Sequence, residues 1–172
     1  MECAILSAVV QDAPALAALH AESWRSAYRG LLPDDYLDGP IEEERLQFWQ
    51  RRMTELDQAR SRVLKAVSGP LLAGFACIIL DADPNWGARL ENLHVRPDLK
   101  GQGVGGRLFD AAHDWANAVR PDRPMHLWVL EQNLPARRFY ERRGGRVADK
   151  KTIEVVSGVR VAEVRYVWAT TR

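Results

Sequence analysis

The spacing of apolar and polar residues along the chain predicts alternating groups of strands and helices. Apolar residues recur at helical spacing after Asp12, where a helix runs to Gly30, and again over residues 41–59 and 104–119. A shorter helix is expected over residues 135–143, and a turn over residues 33–35. Short apolar runs between turn residues predict strands at 4–10, 62–67, 71–80, 88–95, 125–130, 146–156 and 159–168.

Composition narrows the class of protein. The chain has 172 residues, of which 47% are hydrophobic and 27% are charged, and these values are typical of one globular domain spanning residues 1–172. A net charge of +1 gives no field that would attract nucleic acid. The longest apolar run, residues 71–80, has ten residues, too few to cross a bilayer. We therefore expect neither a nucleic-acid partner nor a membrane partner.

Neither of the two cysteines lies in a motif that predicts an activated thiol. Cys3 and Cys77 lie in apolar segments typical of reduced core residues, which favours a cytoplasmic protein. No cluster of Cys and His has the spacing of metal ligands, so we expect no metal.

A loop dense in glycine follows the strand that ends at Val95. Four of the six residues 101–106 are glycine, so their backbone N–H groups are not covered by side chains. A helix begins within this loop, and free amides at a helix N-terminus attract anions. Lys100 and Arg107 add positive charge at the two ends. The loop therefore predicts a pyrophosphate site. Its glycine spacing also matches a dinucleotide fingerprint, but residues 96–100 separate it from the strand, which disfavours that alternative.

Two motifs resemble those of the GCN5-related N-acetyltransferases (GNAT family). Lys100-Gly101-Gln102-Gly103-Val104-Gly105 resembles the family's (Gln/Arg)-x-x-Gly-x-(Gly/Ala) signature, with Lys at the first position. Asn133-x-x-Ala136-x-x-Phe139-Tyr140-Glu141-x-x-Gly144 resembles its second signature, and the two stand in the family's order. Lys keeps the positive charge of the first position but lacks the two-pronged geometry of Arg.

The resemblance covers the whole chain and implies a fold and an activity. The fold is α/β (α+β), with a mixed, mostly antiparallel sheet of about seven strands flanked by helices and a central, splayed parallel pair at 88–95 and 125–130. The activity is transfer of an acetyl group from acetyl-CoA to a primary amine of a small molecule or peptide, without a metal. The alternative is a non-catalytic module that binds acyl-CoA. Dimers are common in the family, so a homodimer is also open.

The resemblance also assigns residues to the cofactor. Tyr140 is expected to be the general acid that protonates the departing thiolate, although a core aromatic would fit the same pattern. Asn133 contacts the cofactor, and Ala136 leaves room for it. A backbone N–H from a bulge near residues 93–95 would polarise the thioester. The other expected cofactor residues are Leu93, His94, Val95, Lys100, Gly101, Gln102, Gly103, Val104, Gly105, Gly106 and Arg107.

The acceptor amine needs a base, because an amine with a pKa near 10.4 is charged at neutral pH. Glu91, on the strand beside the cofactor, is the first candidate, with His94, His126 or a water chain as alternatives. Trp24 and Tyr28 lie on one face of the first long helix. They either line the acceptor pocket or pack in the core. A basic run on the last helix would meet the 3′-phosphate of the cofactor or face solvent: Arg137, Arg138, Arg142 and Arg143.

Overall fold

A seven-stranded sheet with helices on its faces forms the frame of the protein. The computed structural model describes residues 3–156 and 158–170. The strands are β1 (Ala4–Ser7), β2 (Ser61–Ser68), β3 (Leu71–Asp83), β4 (Gly87–Val95), β5 (Met125–Leu130), β6 (Arg146–Val156) and β7 (Val159–Trp168). The helices are α1 (Ala13–Tyr28), α2 (Asp34–Asp38), α3 (Ile41–Glu55), α4 (Val104–Val119) and α5 (Leu134–Arg142).

The order of the strands across the sheet is β1-β2-β3-β4-β5-β7-β6. All neighbouring strands are antiparallel except β4 and β5, which are parallel. This pair is joined only at its start, through Ala88 with Met125 and Arg89 with His126. Beyond these residues the two strands no longer pair and leave a gap between them. The fold class predicted from the sequence is confirmed.

Apolar side chains fill both faces of the sheet. One cluster joins β3, β4 and β5 to α4 and includes Ile78, Leu108 and Leu127, each at most 2% exposed. A second cluster packs α1 and α3 against β2 and β3, around the fully buried Trp49 and Phe75. Burying a large apolar side chain contributes about 1.5–3 kcal/mol. These two layers hold β4 and β5 in place on both sides of the gap.

The boundaries of several elements differ from those expected. The first strand ends at Ser7 rather than at residue 10, because residues Val10–Asp12 form a 3-10 turn. The Asp12 carboxylate accepts the N–H of Val9 and binds Lys65 of β2, which stabilises this turn. The turn expected at residues 33–35 is the start of helix α2. Helix α3 ends at Glu55 rather than 59, where Asp57 begins a turn, and β3 runs three residues further, to Asp83.

Candidate active site

One large cavity opens where β4 and β5 diverge. Its volume is about 1210 Å³, which is large enough for an extended cofactor together with a second ligand. The walls come from α1, β4, the glycine loop, α4, β5, α5 and the β6–β7 hairpin. No group of three or more His, Cys, Asp or Glu side chains with metal-binding geometry occurs within residues 3–156 and 158–170. Over the same ranges, no helix has the length and hydropathy of a membrane span.

The glycine loop forms one wall of this cavity with free amides. Helix α4 has no side-chain cap, and its first backbone hydrogen bond runs from the Arg107 N–H to the Gly103 carbonyl, 3.1 Å away. The N–H groups of residues 104–106 therefore have no acceptor among the described residues. Gly103 has a φ of +84°, and no atom lies within 4 Å of the position that a Cβ would occupy. The loop is therefore an open site for an anion, and its geometry fits a diphosphate.

Most of the predicted cofactor residues line the cavity. The lining ones are Leu93, His94, Val95, Lys100, Gly101, Gly103, Gly105, Gly106, Asn133 and Ala136. Gln102, Val104 and Arg107 do not line it. Gln102 and Arg107 are exposed, and Val104, the first residue of α4, is buried in the core. The guanidinium beside Gly106 is that of Arg143, which binds Asp110 and lies over the rings of Phe109 and Phe139.

The second wall is the unpaired edge of β4. Arg96 donates its N–H to Ala73 of β3 at 3.0 Å. Because successive strand amides point to opposite sides, the N–H groups of Leu93 and Val95 point away from β3, toward the gap. The bulge expected near residues 93–95 lies earlier, at Glu91, which is the extra residue between the paired positions Leu90 and Asn92. The amides needed to polarise a carbonyl are thus present, but the bulge that turns the strand lies two residues before them.

The Tyr140 ring packs in the core, whereas its hydroxyl is left without a partner in the part of the chain that the structure describes. Its ring packs in the core at centroid distances of 5.2 Å from Phe139 and 6.0 Å from Trp168, and the residue is 8% exposed. Its hydroxyl has no hydrogen-bond partner among the described residues, and it is not one of the enclosed polar atoms. Burial, and secondarily the neighbouring Tyr28, raise the pKa of Tyr140. A phenol so placed stays protonated and can donate into the cavity.

Asn133 lines the cavity at the start of α5. Its side-chain oxygen accepts the N–H of Ala136 at 3.3 Å and so caps α5. Burial, and then the charge of Glu163, raise the pKa of Tyr28 to about 12, while a hydrogen bond with Asn133 acts in the opposite direction. Asn133 thus fixes the start of the helix that carries Tyr140 and lines the same cavity as Tyr28.

Glu91 lines the cavity but is already paired with two cations. Its carboxylate lies 2.6 Å from Arg52 of α3 and 2.7 Å from Arg89 of β4. Cys77 also approaches it, at 3.9 Å. Each of its two carboxylate oxygens is therefore already engaged by a guanidinium group.

The histidines on the central strands are neutral. Burial, and then Lys100 and Arg45, lower the pKa of His94 to about 3. Its Nδ1 lies 2.9 Å from the Ser23 hydroxyl, and its ring is tilted by 39° relative to that of His20, with the centroids 4.4 Å apart. His126 is 2% exposed, does not line the cavity and has its Nδ1 3.0 Å from the Trp86 carbonyl. A histidine held neutral by burial and nearby cations is poorly matched to a base near neutral pH.

Trp24 and Tyr28 line the cavity and also pack in a small core cluster. Their rings meet edge to face at 5.1 Å, and both contact the cluster around Leu32 and Ile41. Sequence reasoning missed other side chains on this wall, which come from four different elements. They are Ser23, Asn92, Trp128 and Glu163. The only local signal for Asn92 is that asparagine is rare within strands; its side-chain oxygen is buried without a partner.

Comparisons with known proteins agree with this geometry. The family described as "Acetyltransferase (GNAT) family" matches residues 17–145. A Mycobacterium tuberculosis protein named "Probable N-acetyltransferase Rv2775" is 30% identical over 157 residues, which cover 90% of this chain and 87% of the relative. The Bacillus subtilis protein named "Uncharacterized N-acetyltransferase YuaI" is 26% identical and covers 95% of this chain and 91% of its own.

Solved structures share the fold. The PaiA N-acetyltransferase of Thermoplasma acidophilum, in complex with coenzyme A, has a TM-score of 0.73 at 23% identity, over 95% of this chain and 98% of its own. YncA of Salmonella typhimurium, solved with its cofactor acetyl-CoA, has a TM-score of 0.69 at 17% identity, over 100% of this chain and 96% of its own. The extent of the family match, together with the relative at 30% identity, leads to one conclusion: the chain belongs to the GNAT family of acetyltransferases.

Proposed function

We propose that the chain transfers an acetyl group from acetyl-CoA to a primary amine of a small molecule or peptide, by direct attack in a ternary complex. One observation carries this proposal. The free amides of the glycine loop, the unpaired edge of β4 and the Tyr140 hydroxyl all border one cavity, at the gap between β4 and β5. An anion site, an oxygen-binding edge and an acid are the parts that acyl transfer from a thioester to an amine requires.

The loop and the two strands would hold the cofactor in a defined direction. Gly105, Gly106 and Lys100 line the part of the cavity where the diphosphate would bind, and Gly103 leaves space for it. Bound there, acetyl-CoA supplies the activated acetyl group. The amides of Leu93 and Val95 then lie along the gap, where they can donate hydrogen bonds to the carbonyl oxygen as its negative charge grows.

Proton transfers complete the reaction. Freeing the lone pair of an alkylammonium at pH 7 costs about 4–5 kcal/mol, so a base must accept its proton. The neutral His94 is poorly suited, and we assign the proton to Glu91 through water, with Arg52 and Arg89 keeping that carboxylate in place. Tyr140 gives its proton to the sulfur as the carbon–sulfur bond breaks.

Direct attack is favoured over an acyl-enzyme because no thiol is activated. Burial, and then the charge of Glu91, raise the pKa of Cys77 to about 12, so this thiol stays protonated. Cys3 is 3% exposed and does not line the cavity. Both thiols are free, which supports our assignment of the chain to the reducing cytoplasm.

The test is release of free CoA from acetyl-CoA across a panel of primary amines, with acetylated product identified by mass. The proposal predicts amine-dependent CoA release that saturates in both substrates. A module that only binds acyl-CoA would show cofactor binding by calorimetry and no amine-dependent release. Absence of cofactor binding at millimolar acetyl-CoA would contradict both functions.

A further inference from the structure

A primary ammonium already sits at one wall of the cavity. Lys151 of β6 places its Nζ 3.3 Å from Oε2 of Glu163 and 4.2 Å from the centroid of the Trp128 ring. Glu163 and Trp128 both line the cavity, whereas Lys151 does not. A carboxylate beside an aromatic face is a favourable site for an ammonium ion, because charge pairing and the cation–π interaction act together. The Trp128 ring also carries the guanidinium of Arg165, 4.5 Å from its centroid, so cations of this chain already occupy this wall.

The ammonium of Lys151 is weakly held. Its side chain is 44% exposed, and β6 is the last strand of the sheet, whereas the Glu163 side chain is only 16% exposed. Exposed ion pairs contribute about 0.2–1 kcal/mol, and the four-carbon stem of lysine is flexible. A ligand ammonium entering from the cavity can therefore replace Lys151 at little cost, since Glu163 is paired before and after the exchange.

This part of the cavity lies at the β6–β7 hairpin. Glu163 is on β7 opposite Leu130, the last residue of β5, and Ile153 and Val155 of β6 line the same cavity. Tyr140, the proposed acid, lines the cavity from α5. A cation at Glu163 would therefore bind on a different wall from the proposed acid. The two other carboxylates that line the cavity are paired with guanidinium groups, Glu91 with Arg52 and Arg89 and Asp110 with Arg143, and offer no second site.

We propose that Glu163 and Trp128 form a subsite for a second positive charge on the acceptor, which displaces Lys151. This inference rests on the proposed function and narrows it: the preferred acceptors carry an ammonium or guanidinium group in addition to the amine that reacts. Two sources share this chemistry, namely small diamines and peptides with a basic side chain.

The test compares acceptors that differ only in the second charge. One arm pairs α,ω-diaminoalkanes of three to eight carbons with monoamines of equal length, and the other pairs dipeptides with lysine or norleucine at the second position. In at least one arm the wild type should favour the dication by about tenfold in kcat/KM, which corresponds to 1.4 kcal/mol. Glu163→Gln should reduce this ratio about tenfold, and Lys151→Gln should increase it severalfold because the subsite is vacated.

A neighbouring ion pair gives the matched control. Lys150 of β6 and Glu131, in the turn after β5, lie 2.7 Å apart and do not line the cavity, so Lys150→Gln and Glu131→Gln should leave the ratio unchanged. A ratio near one in both arms, or equal loss for mono- and dications in Glu163→Gln, would overturn the subsite. If Glu163→Gln does not fold, the opposite effect of Lys151→Gln still decides, since Lys151 is on the exposed edge strand.

Failure of the subsite is distinct from failure of the proposed function. If no amine is acetylated, the proposed function falls, and calorimetric titration of the CoA-loaded protein with a diamine still tests the subsite. Binding that weakens about tenfold in Glu163→Gln supports the subsite, and equal binding by both proteins refutes it.

Discussion

Replacing Tyr140 with phenylalanine removes one oxygen from the proposed acid and leaves the core intact. The hydroxyl has no partner among the described residues, while the ring keeps its contacts with Phe139 and Trp168. We therefore expect the free energy of unfolding to change by less than about 0.5 kcal/mol. Loss of a general acid lowers kcat by about 10²- to 10⁴-fold. A thiolate is a moderate leaving group, so we expect the lower end, about 10²-fold, equal to about 2.7 kcal/mol.

Three measurements separate this role from packing. Steady-state CoA release gives kcat, calorimetry gives the affinity for acetyl-CoA, and denaturation gives stability. The matched control is Tyr166→Phe. In the wild type, the Tyr166 hydroxyl donates to Glu141 at 2.5 Å and accepts from Arg137 at 3.1 Å. The Tyr166 side chain does not line the cavity. The control variant should lose about 1–2 kcal/mol of stability and keep its kcat. A Tyr140→Phe variant with kcat within threefold of wild type, or with a parallel loss of cofactor affinity, would refute the acid role.

Three further predictions concern the loop and two titrating groups. Gly103→Val should weaken CoA binding at least tenfold, because the new side chain would project toward the anion site. It should also lower the free energy of unfolding by about 1–2 kcal/mol, because a φ of +84° disfavours a residue with a Cβ. Unchanged affinity by calorimetry would place the diphosphate elsewhere. Burial raises the pKa of Asp12, but the stronger effect of its bonds to Lys65 and Val9 lowers it. Asp12→Ala should therefore cost about 1 kcal/mol at pH 7, and the denaturation curves of variant and wild type should converge as pH falls below about 3.9, where the carboxylate would take up a proton. His94, with its pKa lowered to about 3, stays neutral when folded but binds a proton below about pH 6.5 when unfolded. It should make stability fall by up to about 1.4 kcal/mol per pH unit on acidification, and His94→Gln should reduce that slope; an unchanged slope would show that His94 titrates normally.

The parts of the site that depend on local sequence are predictable. Glycine density predicts the free amides of α4, because glycine acts at its own position, and the observed start of α4 at Val104 follows from that loop. The apolar run that becomes β5 likewise predicts a buried strand, whereas the central parallel pair was implied by the family resemblance. Tyr140 and Asn133 follow from one short motif on one helix. These features need no knowledge of how distant segments meet.

The parts of the cavity wall that depend on contacts between distant segments were not predictable from the sequence. A bulge at Glu91 shifts the side chains of β4 relative to β3. No residue type in that strand predicts this bulge. Trp128 and Glu163 come together only because β5 pairs with β7 in one register. The basic run on α5 shows no difference between its arginines, yet only the packing of α5 on α4 brings Arg143 beside Gly106. Tertiary contacts decide these positions, and local patterns do not encode them.

The central claim is that the free amides of the glycine loop bind the diphosphate of CoA. Titration of the ¹⁵N-labelled protein with CoA, followed by amide chemical shifts, tests it most directly. We expect the largest saturable chemical-shift changes at the amides of Gly101 and residues 103–106, with smaller changes at Leu93 and Val95 along the gap. Shifts confined to other surfaces, with the loop amides unchanged at saturation, would contradict it.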